Sequence, residues 1–251
     1  MGGAAGGEVA SRMAIDTFLE HLRGSAPGSG EGDRDGSWWV GRSAYAVTSK
    51  PQTRLHAAVH AANEAVHGMS TKTRQLSGMG TTLVALLHVA GPEKDRRLTP
   101  RGPRPRFVSP PTLFLANVGD SRCYRRRAGD LLQMSADHSF VEAQVLAGQI
   151  TADQAATSPM RNYITRAIGP QAHVEPDIQS YRPRTGDVYV LATDGLTREL
   201  TKEEMAEVLR RTVPETEPTS TDLQAGCQEL IRAANEHGGG DNITVLLLAF
   251  V

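Results

Sequence analysis

The chain has 251 residues, 39% hydrophobic and 22% charged, with a net charge of −1. That length buries a sizeable core, as one large domain or two small ones. The near-neutral balance supplies no overall basic field, so neither nucleic acid nor an anionic membrane is an expected partner. No apolar run approaches the ~18–20 residues of a membrane helix, and no signal peptide is visible, which leaves the cytoplasm as the expected location. Cys123 and Cys227 stand far apart with no companion at metal-ligand spacing, and both read as reduced packing residues.

Val9, Met13, Leu19 and Leu22 approximate the apolar face of a first helix. A Gly/Ser/Asp/Pro loop over residues 24–36 follows, with Trp38-Trp39 just beyond it. Pro51 suits the first turn of a second helix, whose stripe is Leu55, Ala58, Val59, Ala62 and Val66 and which closes near Gly68. Residues 81–90 and 112–118 read as buried strands. Between them, residues 91–111 hold six prolines, six Lys/Arg and two acids, a composition that packs no core and reads as an exposed loop insertion.

Residues 123–127 and 131–134 read as a hairpin joined through Ala128-Gly129-Asp130. Residues 140–147 form a helix ending at Gly148, and Thr151-Ala-Asp-Gln154 fits a capping box for the next. Strands are expected at 174–181 and 187–193. Thr201-Lys-Glu-Glu204 and Thr221-Asp-Leu-Gln224 read as two more capping boxes. The last helix carries Leu223, Cys227, Leu230, Ile231 and Ala234 on one face, and residues 243–251 close the chain as a strand. Helices and strands do not alternate strictly, so the pattern predicts an α+β layered domain with mostly antiparallel strands inside and helices outside.

Three aspartates sit beside tight, glycine-bearing turns: Asp120 after Leu113–Gly119, Asp194 after Val188–Thr193, and Asp241 after Gly238-Gly-Gly. Hard divalent cations take oxygen ligands, so carboxylates gathered from distant strand ends suit Mg²⁺ or Mn²⁺. A single Asp-Gly at a strand end is also an ordinary turn. Both readings stand on the residues alone.

Five motifs occur in order: Gly78-Met-Gly-Thr-Thr82, Val118-Gly-Asp-Ser-Arg122, Ala136-Asp-His-Ser139, Ala192-Thr-Asp-Gly-Leu196 and Gly239-Gly-Asp-Asn-Ile-Thr244. Together they closely resemble the bacterial branch of the metal-dependent protein phosphatases, the PPM (type 2C) family. The opening residues Met1–Ser11 resemble the tail of that family's Asp-Gly-Met-Gly-Gly-His-x-x-Gly-Glu-x-Ala-Ser motif, with Ala4 in place of the histidine.

The resemblance implies one phosphatase domain over residues 1–251, two packed antiparallel sheets flanked by helix pairs. It also implies two Mn²⁺ or Mg²⁺ ions, and a third in some members, activating a water that hydrolyses phosphoserine or phosphothreonine in proteins. Asp194 and Asp241 match ligands of the paired ions, and so carry the catalysis through metal-bound water. Asp120 matches a ligand of the third, weaker site, which Asp194 shares. Asn162, in the flap region 155–162, stands near a third-ion contact of some relatives. Asp137-His138 reads as structural, and Arg122 as a salt-bridge residue. The substrates implied are phosphorylated Ser/Thr proteins, a Ser/Thr kinase among them; the oligomeric state is not legible.

Met1 falls at the third position of the opening motif, so the Asp-Gly before it, which supplies the bridging ligand in the family, is absent from this sequence, together with the first strands. The expectation is weak metal binding and impaired turnover, on either of two readings: an enzyme whose start lies further upstream, or a non-catalytic phosphatase-like binding module.

Overall fold

The computed structural model describes residues 3–24, 50–90 and 110–251. The 24–36 loop beyond Gly24, Trp38-Trp39 and residues 91–109 of the insertion lie outside the described residues. In chain order the elements are α1 (Gly3–Gly24), α2 (Pro51–Lys72), a 3-10 turn (Arg74–Leu76), β1 (Leu83–Val89), β2 (Thr112–Val118), β3 (Arg122–Arg127), β4 (Asp130–Gln133), α3 (Phe140–Leu146), α4 (Ala152–Thr157), β5 (Asp177–Tyr181), β6 (Val188–Ala192), α5 (Asp194–Thr197), α6 (Lys202–Thr212), α7 (Ser220–Glu236) and β7 (Val245–Ala249). The fold is α+β, with two antiparallel sheets of strand order β1-β2-β5 and β4-β3-β6-β7. No helix among the described residues is long and apolar enough to cross a membrane.

The chain divides into two compact units. The first comprises the described residues within 1–84, 116–122 and 134–178. Here α1 packs against α2. The buried face of α1 is Ala10, Ala14, Phe18 and Leu22, while Val9 is exposed. Of the predicted face, Leu22 is buried, Met13 and Leu19 are half-buried and only Val9 is exposed; small alanines at i, i+4 spacing complete the packed face and let the helices approach. On α2 the predicted stripe is correct, with Leu55, Ala58, Val59, Ala62 and Val66 all fully buried. Full burial of each large member stabilises by roughly 1.5–3 kcal/mol. Pro51 stands in the first turn, and the helix runs on past Gly68 to Lys72. Arg54 donates through Nη2 to the Leu22 carbonyl at 2.8 Å, satisfying an open carbonyl at the end of α1.

The second unit comprises the described residues within 85–115, 123–133 and 179–251. In its hairpin, Arg127 pairs with Asp130, so Asp130 belongs to β4 and the turn is Ala128-Gly129 alone. Both turn residues have positive φ, 50° and 82°, the geometry whose twist matches the strands it joins. Strands β6 and β7 pair antiparallel from Val188↔Ala249 to Ala192↔Val245. Over them lies a core that includes Tyr124, Leu131, Val190, Leu196, Met205, Leu209 and Leu230. Helices α6 and α7 pack on each other, α7 on β7 and α6 on β4.

The Thr151 and Thr201 capping boxes form as expected. The third box is displaced: Thr219 caps α7 and Asp222 is its reciprocal partner, rather than Thr221 and Gln224. The shorter Asp222 side chain reaches the Thr219 backbone N–H at 2.8 Å and the hydroxyl at 2.6 Å, doing the work usually given to Glu or Gln. Cys123 is buried and Cys227 half-buried, and the two form no disulfide.

Arg126, on β3, is 2% exposed. Its Nη1 donates to the carbonyls of Leu209 and Val213, each at 2.7 Å, and Nη2 to that of Pro214 at 3.1 Å. A buried guanidinium thus satisfies carbonyls at and just past the C-terminus of α6, where the helix dipole favours positive charge. Burial lowers the Arg126 pKa and Glu215 opposes that, but a guanidinium stays charged.

Candidate functional site

The apolar run Val188–Ala192 makes β6, and Thr193 is the N-cap of the element that follows. Asp194 then opens the four-residue helix α5. The Asp-Gly here is a helix start, not the tight turn that the sequence predicts. Gly195 is glycine for a steric reason: a Cβ would stand 2.4 Å from the backbone oxygen of Asn242. Thr193 ties the same two segments. Its hydroxyl donates to Asn242 O at 3.1 Å and accepts from Thr244 N at 2.9 Å, and its N–H donates to Thr244 O at 3.1 Å.

Asp241 follows the end of α7. Gly238 and Gly239 take φ of 147° and 57°, turns that a side chain resists. Glu199 holds this loop, accepting through Oε1 from Gly240 N at 3.3 Å, while its carbonyl accepts from His237 Nδ1 at 3.1 Å. Asp241 uses Oδ1 to accept from the N–H of Asn242 at 2.8 Å, which leaves Oδ2 for other work.

That work is an ion pair. Arg198 Nη1 lies 3.1 Å from Asp241 Oδ2, and Nη2 of the same guanidinium pairs with Asp194 Oδ2. Two carboxylates 47 residues apart in sequence thus converge on one cation, in a partly exposed setting where Asp194 is 29% and Asp241 47% exposed. Sequence reasoning brought these aspartates together but missed Arg198. Its signal was available: Asp194 and Arg198 are spaced i, i+4, the pairing distance on a helix.

Asp120 and Asn162 belong to the first unit. Asp120 is buried and follows Gly119, whose φ is 110° and whose Cβ position lies 2.4 Å from Thr82 Cγ2. Thr82 and Ser121 hydroxyls bond at 2.8 Å beside it. Asn162 is exposed, in the turns that follow α4. The Asp-His motif is structural. Asp137 receives Arg122 through two parallel bonds, Nε at 3.0 Å and Nη2 at 2.7 Å, as expected for a salt bridge. His138 Nδ1 accepts from Gly119 N at 3.1 Å, which places the ring proton on Nε2, 3.1 Å from Asp177 Oδ2. Burial alone would raise the Asp177 carboxyl, but bonds from His138 and Arg166 outweigh it and hold the group below its usual range.

No protein-family model matches the chain. It is 33% identical over 247 residues to the Serine/threonine protein phosphatase PstP of Mycobacterium tuberculosis, spanning 98% of this chain but only 38% of that relative. It is 30% identical over 248 residues to the Serine/threonine phosphatase stp of Listeria monocytogenes, spanning 99% of this chain and 81% of the relative. Among solved structures, the catalytic domain of PstP in complex with two manganese ions superimposes with a TM-score of 0.70 at 32% identity, over 98% of this chain and 83% of that one. With the five ordered motifs and this two-sheet fold, these likenesses establish that the chain belongs to the metal-dependent PPM (type 2C) family of Ser/Thr protein phosphatases, in its bacterial branch.

Proposed function

We propose that this chain hydrolyses phosphoserine and phosphothreonine in proteins, with Asp194 and Asp241 holding Mn²⁺ or Mg²⁺. The observation that carries the reading is the shared cation: Arg198 engages both carboxylates, so the pair is already arranged to take positive charge between them. The donors are all carboxylate oxygens, which fit a hard dication. When bound, such ions act as Lewis acids, polarising phosphoryl oxygens and lowering the pKa of water.

The chain's own residues supply position. Thr193 and Gly195 fix the separation of the two segments that bear the aspartates, and Glu199 fixes the glycine loop before Asp241. The bond from Asn242 N to Oδ1 orients the Asp241 carboxylate and leaves Oδ2 to Arg198. Asp120 and Asn162 are assigned to a third ion by resemblance. The substrate class is phosphorylated Ser/Thr proteins, a Ser/Thr kinase among them, and the setting the cytoplasm, with residues 1–251 acting as one phosphatase domain.

Arg198 also favours a second reading. A guanidinium that neutralises both carboxylates makes metal dispensable for the fold, as in a non-catalytic phosphatase-like binding module. One experiment separates the two: hydrolysis of a phosphothreonine peptide by the purified chain, with and without Mn²⁺. Release of phosphate that needs Mn²⁺ and is lost in Asp194→Asn and Asp241→Asn supports the enzyme. Peptide binding with no release in any Mn²⁺ concentration overturns it.

A further inference from the structure

Away from the carboxylate pair, α2 carries a polar stripe. His56, His60, Asn63 and His67 recur at spacings of four, three and four residues, which places them along one helix face. The lower part of the stripe is already occupied. Asn63 Nδ2 donates to the carbonyls of Gln171 and Ala172 at 3.0 and 3.1 Å, and its Oδ1 accepts from Gly169 N at 2.8 Å. His67 Nδ1 donates to Gly169 O at 2.9 Å. The segment 169–172 is thereby laid along the helix, and it delivers Glu175 to the other two histidines. Arg166 Nη1 holds the Glu175 carbonyl at 3.4 Å.

At that end, one ligand atom each from His56, His60 and Glu175 all lie within 4.8 Å of one another. His56 Nε2 is 3.2 Å from Glu175 Oε1, and the two imidazole centroids are 4.4 Å apart. A tetrahedral ion with bonds of about 2.0–2.1 Å needs donors roughly 3.3 Å apart. One contact already meets that spacing, and the others close by small rotations of side chains that are not fully buried. Glu175 lines two open cavities of about 380 and 440 Å³, so an ion and its water have room. The nearby Arg166 charge is compensated, because its Nη1 lies 2.8 Å from Asp177.

We propose that His56, His60 and Glu175 form a binding site for a late first-row dication, Zn²⁺ foremost, with a solvent molecule in the fourth position. Two imidazoles and one carboxylate select Zn²⁺ over Mn²⁺ and Mg²⁺, which prefer all-oxygen sets. Binding turns the His56 Nε2 lone pair to the ion and moves the ring proton to Nδ1. The ion would clip residues 171–176 to α2, independently of the chemistry proposed for Asp194 and Asp241.

The test uses the full chain stripped of metal, titrated with Zn²⁺ by calorimetry and with Co²⁺ by visible absorption. The result expected is one Zn²⁺ equivalent that survives Asp194→Asn/Asp241→Asn, resists a tenfold excess of Mn²⁺ and raises Tm as Zn²⁺ rises. Co²⁺ should give the strong visible bands of a four-coordinate N/O site. His60→Ala, His56→Ala and Glu175→Gln should each weaken this binding by at least about 100-fold, because even the outer partners of metal ligands are worth about 10–100-fold. Metal-free melts of the three variants check that each is folded, and their exposure makes all three tolerable. The proposal is overturned if no saturable Zn²⁺ binding occurs up to about 1 mM, if that binding is unchanged in all three variants, or if it disappears with Asp194 and Asp241 instead.

Discussion

Arg198 Nη1 stands 3.1 Å from Asp241 Oδ2 while the same side chain pairs with Asp194, so any ion that takes both carboxylates must first release a guanidinium. These pairs are partly exposed, which limits each to roughly 0.5 kcal/mol. Together they cost an incoming ion about 1 kcal/mol, or about fivefold in affinity. Arg198→Met should therefore lower the half-saturating Mn²⁺ concentration about fivefold, measured by calorimetry. Unchanged or weaker Mn²⁺ binding would show that Arg198 does not compete with the ion.

Arg126 should matter to stability rather than to chemistry. Its loss leaves the carbonyls of Leu209, Val213 and Pro214 short of a buried donor. Arg126→Met should destabilise by about 3 kcal/mol, read as a lower urea midpoint. Arg126→Lys should recover only part of this, since an ammonium cannot span three carbonyls as a planar fork does.

The acid limb of stability should report on Asp187. This side chain is fully buried and receives Arg127 through Nε and Nη2, each at 2.6 Å, and Arg184 N at 2.8 Å. Burial alone would raise its carboxyl; the bonds from Arg127 and the Arg184 backbone outweigh that and hold it low. A folded-state value below the unfolded one of about 3.9 contributes stability that is fully present above about pH 4 and lost as pH falls through the folded value. Asp177 acts with the same sign. Asp187→Asn should cost about 3 kcal/mol at pH 7 and flatten the decline below pH ~4, followed by denaturation at stepped pH.

The two thiols should differ in reactivity. Burial pushes Cys123 up to about 12 and raises Cys227 less, the N–H of Leu247 opposing it. Only thiolate alkylates. Iodoacetamide at mild alkaline pH should leave Cys123 unmodified in the native chain and label it on unfolding, with Cys227 the faster of the two by mass spectrometry.

Much of this was legible in the chain. The α2 stripe, the β3–β4 hairpin and two capping boxes follow from periodicity and turn chemistry, because local rules decide them. The α1 face followed only in part, because Ala10 and Ala14 carry little apolar weight although they are buried. Arg126 was hidden by its type: strand alternation sends it inward with Tyr124, but an arginine there is expected outside. At the site, the ordered motifs drew out Asp194 and Asp241, whereas Arg198 and the Gly195–Asn242 approach depend on tertiary geometry that spacing does not encode.

At residue 195 volume outranks chemistry. Even the methyl of alanine would push residues 241 and 242 off the short helix, separating the carboxylates without altering a single charge. Inactivating substitutions should therefore gather at a position that has no side chain to lose.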